Sequence, residues 1–85
     1  MSGVFTKEWA LKWIRGSILS YVTGGITLRM VVGRIRRALK SYGVKKGEVI
    51  AIIDVIQDSP VYLPSLSRDE KASKLEPLRR ALEEM

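Results

Sequence analysis

Apolar positions recur at helical spacing along most of this chain, and the periodic stretches break at glycine, proline and capping residues. After Thr6, a candidate N-cap, Leu11, Ile14, Ile18, Tyr21 and Val22 share one face of a helix that should run to about Val22, where Thr23-Gly24-Gly25 interrupts it. Trp9 and Trp13 fall on the opposite side, in line with Gly16, Ser17 and Ser20. This first helix therefore has two uncharged faces, and the second needs a cover. Between a cap at Thr27 and a left-handed stop at Gly43, Leu28, Val31, Val32, Ile35, Ala38, Leu39 and Tyr42 form the stripe of a second helix.

The third stretch, Lys45 to Gln57, contains the β-branched run VIAIIDVI and could be a buried strand. Helical spacing decides. A helix gathers Val49, Ile52, Ile53 and Ile56 on one face and Glu48, Ala51, Asp54 and Asp58 on the other, whereas a strand would send Asp54 to the same side as Ile50, Ile52 and Ile56. Asp58-Ser59-Pro60 ends it, and Val61-Tyr62-Leu63 reads as a short strand closed by Pro64. Ser67-Arg68-Asp69-Glu70 is a capping box that opens a last helix striped with Leu75, Leu78, Leu82 and Met85. Pro77 should kink or split it, and its expected place is across the first helix, covering Trp9 and Trp13.

The pattern predicts a mainly α fold, a small helical domain with a C-terminal helix and at most a short β-strand pair. Residues 1–66 would form its basic core and residues 67–85 a helical extension packed on the same domain. The chain of 85 residues is long enough for one modest core and too short for a catalytic cleft between domains.

Charge changes the picture. Fifteen Lys and Arg oppose nine Asp and Glu, for a net +6 and a pI near 10.0. Up to Gly43 the balance is +7, and the remainder is close to neutral. Arg29, Arg34, Arg36, Arg37, Lys40, Lys45 and Lys46 follow one another without a single acid between Arg29 and Lys46. On the second helix, Arg29, Arg36 and Lys40 lie around the centre of the outer face, with Arg37 and Arg34 further round and Gly33 among them. The planar guanidinium fork suits phosphate, and a glycine between arginines lets an anion approach the backbone. These seven residues are the candidate nucleic-acid contacts, directed at the phosphate backbone of DNA or RNA with little base preference. Trp9 and Trp13 read first as packing material and second as a base-stacking or partner-binding pair.

Other residue types narrow the chemistry by their scarcity. Without Cys or His there are no disulfides, no thiolate or imidazole catalysis and no ordinary zinc set. Without Asn, and with Gln57 alone, the usual partners of adenine are nearly missing, and the scarcity of thermolabile amides suggests a thermophile. Asp54 and Asp58 lie one turn apart but lack a third ligand, so they read as surface residues rather than a metal site. Gly24-Gly25 reads as a turn, since no Lys-Ser/Thr follows. A binding protein is expected rather than an enzyme, with no metal or cofactor. The least charged stretch, Gly16 to Leu28, is too short to span a bilayer, which takes about twenty apolar residues. With no signal peptide in view, a cytoplasmic location and no membrane partner are expected.

The run ITLRMVVGRIRRALKSYGVKKGEVIAIIDVIQDSPVYL, residues 26 to 63, resembles the centre of winged helix-turn-helix domains: a short strand, an amphipathic helix, a four-residue turn with a glycine and a hydrophobe, a second helix and a returning strand. The resemblance implies DNA binding and covers under half of the chain. Two departures stand out. No second wing strand follows Pro64, and the helix that would enter the major groove carries Glu48, Asp54 and Asp58, which phosphates repel. The preceding basic helix is the better anion-facing surface. In size and charge the chain also resembles small basic proteins attached to archaeal replicative polymerases, RNA polymerase or ribosomes, which implies an accessory subunit of such an assembly as the alternative role.

Overall fold

The computed structural model describes residues 6–85. Four helices follow in order: α1 (Lys7–Val22), α2 (Leu28–Ser41), α3 (Lys46–Asp58) and α4 (Arg68–Glu83). Side-chain caps set three of the starts. The hydroxyls of Thr6, Thr27 and Ser67 accept from the backbone N–H groups of Trp9, Met30 and Glu70, and Glu70 closes its box by accepting from Ser67 N–H at 3.0 Å. At α3, Glu48 accepts from Lys45 N–H at 2.9 Å, but lysine offers no acceptor in return. Gly24 and Gly43 take positive φ, 86° and 71°, where the chain turns after α1 and α2, a conformation that glycine adopts without a Cβ penalty.

One core joins all four helices. Ile14, Ile18, Val31, Ile35, Val49, Ile53, Ile56, Leu75, Leu78 and Leu82 are fully buried in it. α1 packs chiefly on α2, and α3 on α4. The three leucines of α4 lie in the same cluster as the isoleucines of α1 and α3, so the C-terminal helix is a wall of the core. The α3 segment is helical because only that periodicity buries Val49, Ile53 and Ile56 together while leaving Asp54 and Asp58 in solvent.

One sequence expectation is corrected. Val61-Tyr62-Leu63 is not a strand: residues 59–66 form turns, with Tyr62 N–H donating to Ser59 O, Leu66 N–H donating to Leu63 O, and Leu63 at φ 55°. Among the described residues there is no strand for it to pair with, and an unpaired strand leaves its amides and carbonyls without a ladder. Of the two outcomes expected at Pro77, the split does not occur, since α4 continues from Arg68 to Glu83. Ser73, whose carbonyl loses its amide partner there, is an exposed residue, so the lost bond is not buried in the core. α4 does pack against α1, with Tyr21 bonded to Lys74 O and the apolar stripe of α4 in the shared core, while Tyr42 meets the rings of Trp9 and Trp13 edge-on.

A lysine closes the loop before α4. Lys71 continues the leucine stripe one turn earlier, is 2% exposed, and its ammonium donates to Ser59 O at 3.0 Å and Tyr62 O at 2.8 Å. Two carbonyls of an irregular segment thus find a donor inside the fold. Replacing Lys71 with Met keeps the stem and removes the donors. It should cost about 1–3 kcal/mol in urea unfolding, with hydrogen exchange accelerated across residues 59–66.

Tyr21 links α1 to α4 by donating its hydroxyl to Lys74 O at 2.8 Å, and burial raises its ionisation above the ordinary value. Glu48 and Glu70 are shifted the other way. The Lys7 ammonium and then Lys45 N–H hold Glu48 below the usual carboxylate range, while Ser67 N–H and then the Ser67 hydroxyl hold Glu70 there. For Tyr21 the folded pKa exceeds the unfolded one, so its contribution is whole below the unfolded value and disappears as pH rises through the folded value. For the two glutamates it is present above the unfolded pKa and is lost as pH falls through the folded one. Thermal melts should therefore show a stability plateau at neutral pH, with Tyr21→Phe flattening the alkaline limb and Glu48→Gln with Glu70→Gln flattening the acid limb.

Candidate nucleic-acid interface

α2 presents its cations because its apolar stripe is complete on the opposite side. Val31, Ile35 and Ala38 are fully buried and Leu28, Val32, Leu39 and Tyr42 half-buried, which turns Arg29, Arg36, Arg37 and Lys40 outward. All four are exposed, and Gly33 lies between them with nothing within 4 Å of where a Cβ would stand. From Arg29 to Lys40 the row extends about 16 Å along the helix. Lys45 follows across the Gly43 turn as an exposed residue, and Lys46 is half-buried at the start of α3.

Neutralisation from within does not occur. Among the described residues the ion pairs are Lys7–Glu48, Arg68–Asp58, Arg79–Asp54 and Arg80–Glu76, and none includes a cation of α2. α2 has no acid in its first turn, where Arg29 sits at the positive end of the helix dipole. That position costs the helix roughly 0.3–1 kcal/mol. Lys45 and Lys46 open α3 in the same unfavourable way. An external anion at either helix start reverses the sign of this cost.

Arg34 differs from its neighbours. It is half-buried, its guanidinium lies 5.9 Å from the ring centroid of Trp13, and it donates to the Ser17 hydroxyl at 3.0 Å. The hydroxyl in turn donates a hydrogen bond to Trp13 O at 2.8 Å. Arg34 is thus an anchored member of the set, part packing residue and part cation. Trp13 in turn stacks on Trp9, centroids 5.5 Å apart and planes 20° from parallel, and Tyr42 meets both rings edge-on at 5.9 and 6.4 Å. The uncharged outer face of α1 is covered from the end of α2. Trp9 keeps 37% of its surface exposed beside that cluster.

The carboxylates of α3 are engaged elsewhere. Arg79 donates to Asp54 at 2.7 Å and Gln57 at 3.1 Å, and Arg68 donates to Asp58 at 2.8 Å. The two aspartates one turn apart are thus each held by a different arginine of α4. Among the described residues no group of three or more acidic side chains is placed to hold a metal ion, and no helix is long and apolar enough to cross a membrane. Sequence reasoning missed the aromatic role of Tyr42 and the burial of Lys71. The signal for the second was its spacing, four residues before Leu75 on the stripe.

A scan against protein-family models finds no match, and neither a curated protein nor a solved structure matches the chain.

The two kinds of arginine are separable by stability. Arg34→Ala should cost about 1 kcal/mol and shift the tryptophan fluorescence, through loss of the Ser17 bond and the Trp13 contact. Arg36→Ala should leave unfolding within about 0.5 kcal/mol of the parent and the emission unchanged.

Proposed function

We propose that this protein is a small nucleic-acid-binding module that grips the phosphate backbone through the outer face of α2. Arg29, Arg36, Arg37 and Lys40 form the contact row, Arg34 flanks it from its anchored position, and Lys45 and Lys46 extend it past the Gly43 turn. The observation that carries this reading is the row of exposed cations with no carboxylate partner among the described residues. Readout of base sequence is secondary. The α3 face that would enter a major groove in a winged helix-turn-helix arrangement bears Asp54 and Asp58, already bound to arginine, and side chains suited to adenine are nearly missing.

A second reading is an accessory subunit of a nucleic-acid-processing assembly, such as a replicative polymerase, RNA polymerase or ribosome. It is favoured by the partly exposed Trp9, Trp13 and Tyr42 cluster beside the cationic row, an aromatic and arginine composition typical of interface centres. In that role the same cations face structured RNA or an acidic protein surface.

Fluorescence anisotropy against salt tests the first reading. Neutralising about four to six phosphates gives a log-log slope of about −4 to −5 on duplex DNA, shallower on single strands. Arg36→Glu with Lys40→Glu should keep its helical circular dichroism, since both residues lie off the apolar stripe, and should flatten the slope by about two. Gly33→Ala should raise stability by roughly 0.5–1 kcal/mol while weakening binding, if backbone and phosphate come close at that position. Binding that ignores salt, or survives the double charge reversal, rules the reading out.

A further inference from the structure

A second surface lies away from the cationic row, where α1 meets α3. Two adjoining hollows of about 220 and 240 Å³ share Arg15, Ala51 and Ile52. Leu11 and Ile52 form the floor, Ala51 leaves a notch by its small size, and Val55 and Tyr62 close one end. Val55 is 51% exposed, and Val61, next to Tyr62 in the chain, is 79% exposed. Single exposed aliphatics are ordinary, but contiguous ones around a hollow mark a contact surface.

The charges at its edges identify the occupant. On the α1 rim, Lys12 and Arg15 are exposed and take part in no ion pair among the described residues. On the α3 side, Asp54 and Asp58 are held by Arg79 and Arg68, and Glu48 by Lys7. The uncompensated charge of the groove is therefore positive on one edge only. A second copy carries the same net charge of +6 and is repelled overall from a cationic edge, whereas an acidic partner is attracted to it. We infer that the α1/α3 groove docks an amphipathic helix of another protein, with its apolar ridge on Leu11, Ala51, Ile52 and Val55 and acidic residues facing Lys12 and Arg15. The run from Glu48 to Val55 spans about 10 Å, two helical turns, which matches a ridge of anchors at i, i+4 and i+7.

The probes are 18-residue amphipathic peptides with Leu, Ile or Phe at the apolar positions and Glu along one flank, each with a counterpart bearing Lys instead. Binding to the full chain is followed by calorimetry and by amide chemical shifts at 150 mM salt. At least one acidic peptide should bind with shifts confined to α1 and α3, and its lysine counterpart should bind at least tenfold more weakly. Val55→Glu and Arg15→Glu, both at exposed positions and checked by circular dichroism, should each weaken it tenfold or more, while Arg36→Glu with Lys40→Glu leaves it unchanged. The inference is overturned if no acidic peptide binds, if the lysine peptides bind equally, or if Arg15→Glu has no effect. It is also overturned if DNA or RNA displaces the peptide, or if sedimentation reveals a dimer that Val55→Glu dissociates. Because this surface shares no residue with the α2 row, failure here leaves the salt dependence of nucleic-acid binding untouched, and the reverse also holds.

Discussion

The distribution of carboxylates decides what this fold exposes. α2 has none, and the acids of α3 are engaged by Lys7, Arg68 and Arg79. Each of those pairs ties one helix to another or holds the segment between α3 and α4. As largely exposed pairs they contribute little stability individually, and among the described residues none of them involves a cation of α2. A helix with Arg29 in its first turn and an all-cationic outer face is tolerated because Val31, Ile35 and Ala38 hold it against the core.

Most of this architecture was legible in the chain. Four helices, their caps at Thr6, Thr27 and Ser67, and the positive-φ turn at Gly43 all follow from local chemistry, and local chemistry acts within a few residues. The α3 stripe could be read despite its strand-like composition because burial of Val49, Ile53 and Ile56 on one side is a matter of periodicity, which outweighs propensity. What escaped was tertiary. Val61-Tyr62-Leu63 has strand composition, but a strand requires a neighbour, and no local rule shows that none exists. Lys71 sits on an apolar stripe where periodicity alone predicts a hydrophobe, and its burial depends on two carbonyls supplied nine and twelve residues earlier. The contact of Tyr42, which ends the α2 stripe, with Trp9 and Trp13 also went unread, because it joins two helices across the Gly24-Gly25 turn.

Of the candidate site, the exposure of Arg29, Arg36, Arg37 and Lys40 followed from the same angular argument that placed the core. The distinction of Arg34 did not, because its position at the edge of the arc is decided by which neighbour lies beside it. α1 lies there, with Trp13 and Ser17. The α1/α3 groove was also invisible, since the spacing that assigned Ile52 to the core and Ala51 to the surface says nothing about a notch between two helices.

Arg34 further separates the energetics of the proposed phosphate contact into two kinds. Its guanidinium is already oriented by a hydroxyl and an indole, so little rotamer freedom remains to be lost when an anion arrives. Arg29, Arg36, Arg37 and Lys40 are exposed, and ordering each costs roughly 0.5–1.5 kcal/mol. Four such side chains offset much of the direct attraction they provide in water. The remaining driving force is the release of counterions from the nucleic acid, which grows with the number of phosphates neutralised and is indifferent to base identity. On the proposed reading, affinity is tuned by salt more than by sequence, and that follows from the exposure of these arginines as much as from their charge.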